Sequence, residues 1–264
     1  MHRSFFRLLL AAVTFATISL ALTAAEDAPP APSGPKAKLH PALHLVGDST
    51  MADKPIDPPN PERGWGQLFS TLFKEPARIV NHAVNGRSSK SFRDEGRWAN
   101  VIEQLEAGDF VLIEFGHNDE KSTDAKRYAA AKTDFKENLR RFIREVRAKG
   151  GSPLLATPVN RRKFDDKGQL VDTHGEYPDA MRAVAAEEKV PLIDLHQLTR
   201  PLLEKLGPED SKSLFVWVKP GEYANLPKGR QDDTHFNEKG ALEISQLVAA
   251  QLRAQKHPLA EWLK

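Results

Sequence analysis

Five short apolar runs alternate with amphipathic segments along this chain. The runs are "ALHLVG" (42–47), "ARIVNHAV" (77–84), "FVLIEFG" (110–116), "SPLLATP" (152–158) and "VPLIDL" (190–195). Each run is rich in Val, Ile or Leu and nearly continuous in apolar character, which is typical of strands buried on both faces of a sheet. Their alternation with helices predicts an α/β fold, a three-layer α/β/α sandwich around a central five-stranded parallel sheet.

Helical periodicity fills most of the spaces between these strands. Helices are predicted at 64–73, 91–107, 125–150, 177–189 and 239–255. An irregular insert at 207–231 carries Trp217 and precedes the last helix; it fits either a lid or a hairpin. Because functional groups of parallel sheets collect beyond the carboxyl ends of the strands, we expect a site there.

The N-terminus has the pattern of a secretory signal. Arg3 and Arg7 precede an apolar run from Leu8 to Leu22, and small residues lead to a plausible cleavage point after Ala25. A membrane anchor is the alternative, but the run is short for a bilayer span. We therefore predict a signal peptide at 1–25, a disordered Pro- and Ala-rich linker at 26–40, and one domain at 41–264. The predicted location is secreted or periplasmic, with no membrane attachment after cleavage.

Composition excludes several functions. Removing residues 1–25 takes away two arginines and no acids, which leaves 36 basic residues against 36 acidic ones. This balance lacks the basic surplus that drives nucleic-acid binding. The chain has no cysteine, so disulfides, thiol catalysis and thiolate metal sites are excluded.

A serine follows the first predicted strand in "HLVGDSTMAD" (44–53). At a sharp turn beyond a strand, the Ser49 hydroxyl is placed as a nucleophile would be, provided that a base lies near it. Asp48 or Ser49 capping a helix is the simpler interpretation. The tripeptide alone leaves both open.

A candidate base lies in "DDTHFNEKGA" (232–241). His235 follows Asp232 by three residues and Asp233 by two, and a carboxylate near a histidine fixes its tautomer and stabilises the imidazolium. Either aspartate has a suitable spacing. The same stretch also reads as the entry to the last helix, with Thr234 or Asn237 as its cap.

Donors for an oxyanion follow the next two strands. Gly86 in "NHAVNGRSS" offers a backbone N–H, Asn118 in "FGHNDE" offers a side-chain amide, and Ser49 offers its own N–H. Individually each has a structural explanation: Gly86 as a turn glycine, Asn118 as an Asx-turn residue and Asp119 as a helix cap.

Taken in order, the motifs GDS, NxxxNGR, GxND and DxxH resemble those of the SGNH, or GDSL, hydrolases. The likeness runs from about His44 to Ala250 and is greatest to the rhamnogalacturonan acetylesterase-like group. It implies a flavodoxin-like fold with Ser49 as nucleophile, His235 as base and Asp232 as its orienting acid. It also implies an oxyanion hole made by Ser49, Gly86 and Asn118.

The chain departs from the family where two glycines are common, since Asn85 precedes Gly86. This side chain, together with Arg87, His117, Arg161 and Arg162, is a candidate for substrate contact. An arginine pairs well with a uronate carboxylate. Solvated charge or loop-locking ion pairs are the alternatives for the arginines.

The resemblance implies a secreted serine esterase that removes O-acetyl groups from plant cell-wall polysaccharide, with rhamnogalacturonan in pectin as the first candidate. Acetylxylan, lipid esters and a non-catalytic glycan-binding role are the alternatives. No cofactor is expected. No metal site is expected either, because His40 and His44 flank Pro41, which argues against the helix that their spacing needs.

Overall fold

The computed structural model describes residues 41–264. The predicted signal peptide at 1–25 and linker at 26–40 lie outside the described residues and stay predictions. Among the described residues, no helix is both long enough and apolar enough to cross a bilayer.

Five parallel strands form the central sheet in the order β2-β1-β3-β4-β5. Their bounds are β1 Leu43–Val46, β2 Ile79–Asn81, β3 Phe110–Glu114, β4 Ser152–Ala156 and β5 Leu192–Ile193. Each predicted strand is present and shorter than its apolar run. For β1, β3 and β4 the run continues past the last sheet pairing because the loop beyond the strand is also buried.

In the part of the chain that the structure describes, seven α-helices surround or flank the sheet. They are α1 Trp65–Phe69, α2 Ser89–Asp94, α3 Arg97–Gln104, α4 Lys136–Ala148, α5 Tyr177–Glu188, α6 Leu195–Asp210 and α7 Glu238–Ala254. Within the described residues, short 3₁₀ and π turns extend several of them.

The two faces of the sheet bury separate cores. Leu43 and Leu45 pack with side chains from α1, α6 and α7. Val46 and Val111 pack with side chains from α2, α3, α4 and α5. Because alternate strand residues point to opposite faces, every strand needs apolar residues at successive positions. The three-layer prediction is confirmed.

Some helices differ from their sequence patterns. The segment predicted as one helix at 91–107 breaks into α2 and α3 at Gly96, whose φ of 74° ends the first helical path. The segment predicted from 125 becomes helical only at Ala131. Helix α6 was not predicted, since Pro201, Pro208 and a kink at Gly207 interrupt its pattern.

The insert at 207–231 ends in an antiparallel hairpin. Strand β6 (Phe215–Val218) pairs with strand β7 (Arg230–Phe236), so His235 lies in a strand and not in a loop. Helix α7 begins directly afterwards, and the Asn237 side chain accepts a hydrogen bond from the Gly240 N–H at 3.0 Å. Asn237 is therefore the cap, and Thr234 is not.

Gly240 lets α7 approach the chain before β6. A Cβ at this position would lie 1.9 Å from the Leu214 carbonyl oxygen. Helix propensity alone favours alanine over glycine by about 1 kcal/mol, but this overlap forces the backbone to move. We expect Gly240→Ala to lower the free energy of unfolding by about 2 kcal/mol, measured by urea denaturation. Gln246→Ala, at an exposed position of the same helix, is the matched control, and equal stability of the two variants would contradict the packing argument.

Candidate active site

Ser49 lies on the loop that leaves β1 at its carboxyl end. The Asp48 carboxylate accepts hydrogen bonds from the Thr50 N–H and hydroxyl, both at 2.9 Å. These bonds close the turn around Ser49 without using its hydroxyl. The Ser49 Oγ lies 2.8 Å from His235 Nε2.

His235 is held from its other side by Asp232. The distance from His235 Nδ1 to Asp232 Oδ2 is 2.8 Å, and Asp232 Oδ1 accepts the backbone N–H groups of Thr234 and His235. Burial opposes ionisation of Asp232, but these hydrogen bonds and the positive field at His235 outweigh it. The pKa of Asp232 is therefore lowered from its usual value.

Asp233 faces different partners. Its Oδ1 accepts hydrogen bonds from Arg162 Nη1 at 2.6 Å and from Trp217 Nε1 at 3.0 Å. By strand alternation alone, Asp233 and His235 would share a face, but the chain turns here, where the Asp232 carboxylate accepts the N–H groups of Thr234 and His235, so only one aspartate occupies the position beside the His235 ring. The geometry gives that position to Asp232.

The three expected oxyanion donors border the same pocket as Ser49 and His235. Within residues 41–264, the N–H groups of Ser49 and Gly86 donate to no protein acceptor. Gly86 has a φ of 75°, which strongly favours glycine. The Asn118 amide donates to the Arg87 carbonyl at 3.0 Å.

Asn118 is oriented by cations. Its Oδ1 accepts a hydrogen bond from Lys121 Nζ at 2.8 Å and a longer one from Arg127 at 3.4 Å. With the carbonyl oxygen bound by these donors, the amide nitrogen is turned away from them. Its N–H groups are then directed toward the Asp48 and Arg87 side of the loop.

A chain of ion pairs backs the His235–Asp232 pair. Arg230 contacts Asp232 Oδ2 and also donates to Glu62 at 2.9 Å. Glu62 pairs with Lys54 Nζ at 2.8 Å, and Lys54 contacts Asn85 Oδ1. The network thus joins the acid behind His235 to the residue beside Gly86.

The pocket has a volume of about 520 Å³. Seven of the residues named from sequence border it: Ser49, Asn85, Gly86, His117, Asn118, Arg161 and His235. Three residues that the sequence reasoning missed border it too: Glu62, Lys121 and Arg230. Thr234, considered from sequence only as a helix cap, also borders it.

Two of the missed residues had a usable signal. Arg230 precedes Asp232 by two positions, and in a strand that spacing places both side chains on one face. Lys121 follows Asn118 by three positions in the loop after β3, a spacing that suits a contact across a turn. Glu62 carried no comparable signal, because Arg230 lies 168 positions away and its nearer partner, Lys54, is joined to it by an irregular loop.

Two predicted contact residues are engaged away from the pocket. Arg87 donates to Glu95 and to the Asn85 carbonyl. Arg162 is 7% exposed, and besides Asp233 it contacts the Pro208 carbonyl and lies over the Trp217 ring. Neither side chain borders the pocket.

Buried carboxyl groups lie beneath the site. Burial raises the pKa of Asp48 and of Glu114, and for Glu114 the neighbouring Asp48 charge adds to the effect. Glu114 accepts a hydrogen bond from Trp65 Nε1 at 2.7 Å. Burial also raises the pKa of Asp119 to about 8, despite hydrogen bonds from the Ser89 N–H and hydroxyl.

A profile of the GDSL-like Lipase/Acylhydrolase family matches residues 45–242. The chain belongs to this family. It is 46% identical over 221 residues to rhamnogalacturonan acetylesterase RhgT of Bacillus subtilis (strain 168), an alignment that covers 84% of this chain and 93% of the relative. Membership of this family, together with the similarity to RhgT, identifies the chain as a carboxylic ester hydrolase.

Solved structures share the fold. The crystal structure of YxiM from Bacillus subtilis aligns with a TM-score of 0.69 and 26% identity, covering 83% of this chain and 58% of that one. Axe2, an acetylxylan esterase from Geobacillus stearothermophilus, aligns with a TM-score of 0.56 and 18% identity, covering 85% and 96%. The Axe2 likeness bears on the fold alone.

Asp119 links stability to pH. Its folded-state pKa of about 8 lies above the value of about 3.9 in an unfolded chain. The folded protein therefore holds an extra proton between these values, and stability is present below pH ~4 and lost as pH rises toward 8. We expect the unfolding free energy to fall less between pH 5 and 8 in Asp119→Asn than in the wild type. The two slopes should differ by up to about 1.4 kcal/mol per pH unit. Asp166→Asn, at an exposed position, is the control; an unchanged slope in Asp119→Asn would contradict the assignment.

Proposed function

We propose that this enzyme is a carbohydrate acetylesterase that removes O-acetyl groups from rhamnogalacturonan, through an acyl-enzyme formed on Ser49. The observation that carries the proposal is the continuous path from Ser49 Oγ to His235 Nε2 and from His235 Nδ1 to Asp232, with both distances at 2.8 Å. The path opens into a pocket that has unpartnered N–H groups beside the serine.

In the first half of the reaction, Ser49 Oγ attacks the acetyl carbonyl carbon while its proton passes to His235 Nε2. Asp232 stabilises the imidazolium that forms. The carbonyl oxygen becomes an oxyanion, and the N–H groups of Ser49 and Gly86 and the Asn118 amide donate to it. The C–O bond to the sugar then breaks, and the leaving sugar oxygen takes the proton from His235.

In the second half, water attacks the acetyl group on Ser49. His235 takes a proton from this water and returns it to Ser49 Oγ as acetate leaves. No metal or redox group enters any step of this scheme. The freed serine and neutral histidine are ready for another turnover.

The pocket lining supports a polar substrate. Among its residues are two arginines, a lysine, a glutamate and two histidines. A site for a fatty acyl chain is lined mainly by apolar side chains, so a lipid ester is a poor fit. Asn85, His117 and Arg161 remain our candidates for sugar contact, whereas the engaged side chains of Arg87 and Arg162 make these two weaker candidates.

The substrate assignment rests on similarity to RhgT, whose name states its polysaccharide. Action on a cell-wall polysaccharide also agrees with the predicted signal peptide at 1–25, because the substrate lies outside the cytoplasm. We propose export on that ground.

Acetate release from defined polysaccharides tests the function. We expect the enzyme to deacetylate rhamnogalacturonan oligosaccharides with a kcat/KM at least about tenfold above that for acetylated xylo-oligosaccharides. Ser49→Ala should lose at least about a thousandfold on both, and on 4-nitrophenyl acetate. A preference for the xylo-oligosaccharides would overturn the substrate, and an active Ser49→Ala would overturn the mechanism.

The two adjacent aspartates provide a matched pair of variants. We expect Asp232→Asn to lower kcat on 4-nitrophenyl acetate by about a hundredfold or more, because His235 loses the carboxylate that fixes its tautomer. Asp233→Asn should retain kcat and lose about 1 kcal/mol of unfolding free energy, because Arg162 loses its ion pair. The reverse pattern would assign the orienting role to Asp233.

A further inference from the structure

One wall of the pocket is made by the segment that follows β3. His117, Asn118 and Lys121 all come from this segment and all border the pocket. Asn118 has a place in the proposed chemistry, but the other two have none so far. Unlike the arginines of the pocket, neither His117 nor Lys121 has a side chain that is held in an ion pair with another of the described residues.

Lys121 carries the pocket's uncompensated positive charge. Arg161 pairs with Glu120 at 2.5 Å, and Arg230 pairs with Glu62 and Asp232. From residue 41 onward, no carboxylate forms an ion pair with Lys121. Its Nζ donates to Asn118 Oδ1 at 2.8 Å, and two of its three N–H groups are left for a ligand.

The electrostatic surroundings of Lys121 favour an anion. Partial burial and the nearby charges of Arg127 and Arg161 lower the pKa of Lys121 and outweigh the opposite effects of Asp48 and Glu120. A positive field that disfavours one more cation attracts a negatively charged ligand for the same reason. The field lies at the mouth of the site, where Ser49 and His235 also open to the pocket.

His117 supplies an independent observation. Its side chain is 3% exposed, and in the described part of the chain neither ring nitrogen has a hydrogen-bond partner. Burial lowers its pKa well below the usual value, so the ring is neutral, with one N–H donor and one acceptor. Both nitrogens are also shielded from solvent, so a ligand must displace the side chains that cover them. The hydrogen bond it then makes removes the free-energy cost of a buried polar group without a partner.

The ring of His117 is fixed in place. It meets the ring of His174 edge to face at 4.5 Å between centroids. His174 is anchored through Nδ1 to Glu120 at 2.9 Å and through Nε2 to the Val159 carbonyl at 2.8 Å. The unpartnered nitrogens are therefore held in position before any ligand arrives, which lowers the entropic cost of binding.

We propose that Lys121 and His117 form a subsite for a uronosyl residue of the substrate. The Lys121 ammonium binds the sugar carboxylate, and a ring nitrogen of His117 forms a hydrogen bond with an oxygen of the same sugar. For the carboxylate itself the arginines are poorer candidates than Lys121, because the charges of Arg161 and Arg162 are already paired with Glu120 and Asp233. Arg161 stays a candidate for contact with the uncharged oxygens of the sugar. The inference deepens the proposed function and rests on it for the identity of the polysaccharide.

The subsite has a consequence for selectivity. Lys121 also holds Asn118 Oδ1, so a carboxylate bound there lies next to the group that donates to the oxyanion. The enzyme then acts on acetyl esters near a free uronate carboxylate and discriminates against the same sugar when that carboxylate is methyl-esterified.

The first experiment compares two forms of one substrate. Acetylated rhamnogalacturonan oligosaccharides are assayed with free carboxylates and after methyl esterification, and the ratio of the two kcat/KM values is the readout. We expect Lys121→Gln to lower this ratio about tenfold. Lys121→Arg should retain most of it. Because the ratio cancels any effect on Asn118 that both substrates share, it isolates the contact with the carboxylate.

Lys126→Gln is the matched control, since it removes the same charge from an exposed position on the same loop. Its ratio should equal that of the wild type. Added NaCl should lower the wild-type ratio and leave the Lys121→Gln ratio unchanged, because salt screens an exposed ion pair. A wild-type ratio near one, or equal ratios in wild type and Lys121→Gln, would overturn the subsite.

A second experiment does not depend on polysaccharide deacetylation. Oligosaccharides that lack acetyl groups are tested as competitive inhibitors of 4-nitrophenyl acetate hydrolysis, in the free-acid and methyl-ester forms. The subsite predicts stronger inhibition by the free acid, lost in Lys121→Gln. If this result holds while acetate release from the polysaccharide fails, the proposed function falls and the subsite stands. If acetate is released but both forms inhibit equally, the subsite falls and the function stands.

Discussion

Three groups of the site depend on strands β2, β1 and β3 being adjacent and parallel. Ser49, Gly86 and Asn118 are far apart in sequence, but each follows the carboxyl end of one of these strands. Parallel pairing sends all three loops over the same edge of the sheet. The register between β1 and β3 is fixed because both faces of these strands are buried, so that slipping by one residue would exchange the two cores.

The remaining member of the site reaches this edge by another route. His235 lies on the β6–β7 hairpin, which is separate from the central sheet. The hairpin is attached to the first loop by a hydrogen bond from the Arg63 N–H to the Phe236 carbonyl at 2.9 Å, and by the ion pair between Arg230 and Glu62. The distance between Ser49 and His235 is thus set by polar contacts between the loop after β1 and the β6–β7 hairpin, and not by pairing within the central sheet alone.

The sequence was sufficient to predict the layers and the five strands, because these follow from local pattern and order along the chain. The residues of the Ser–His–Asp path came from the resemblance to the SGNH hydrolases, since spacing alone left Asp232 and Asp233 as alternatives. Apolar runs mark strands buried on both faces, and polar motifs at their ends mark the edge where the loops meet. Helix α6 and the strand character of β7 were missed. In α6, prolines conceal a helical period. In β7, six of the seven residues are polar, so no apolar alternation marks the strand.

Partners that are distant in sequence could not be predicted. Arg162 has the same local pattern as a substrate-binding arginine, yet its charge is taken up by Asp233, 71 positions away. Lys121 looks like an ordinary surface lysine, and it gains interest only because no carboxylate among residues 41–264 forms an ion pair with it. The balance of charges in a pocket is a property of the assembled structure.

The turn that joins β6 to β7 has a practical meaning for engineering. Residues 219–228 are largely exposed, whereas Gly229 closes the hairpin so tightly that a Cβ there would lie 2.5 Å from the Val218 carbonyl oxygen. An added module, such as a carbohydrate-binding domain, is best grafted between Gly221 and Pro227. The strand beyond the graft would keep its register, and the esterase would gain a tether to its polymer.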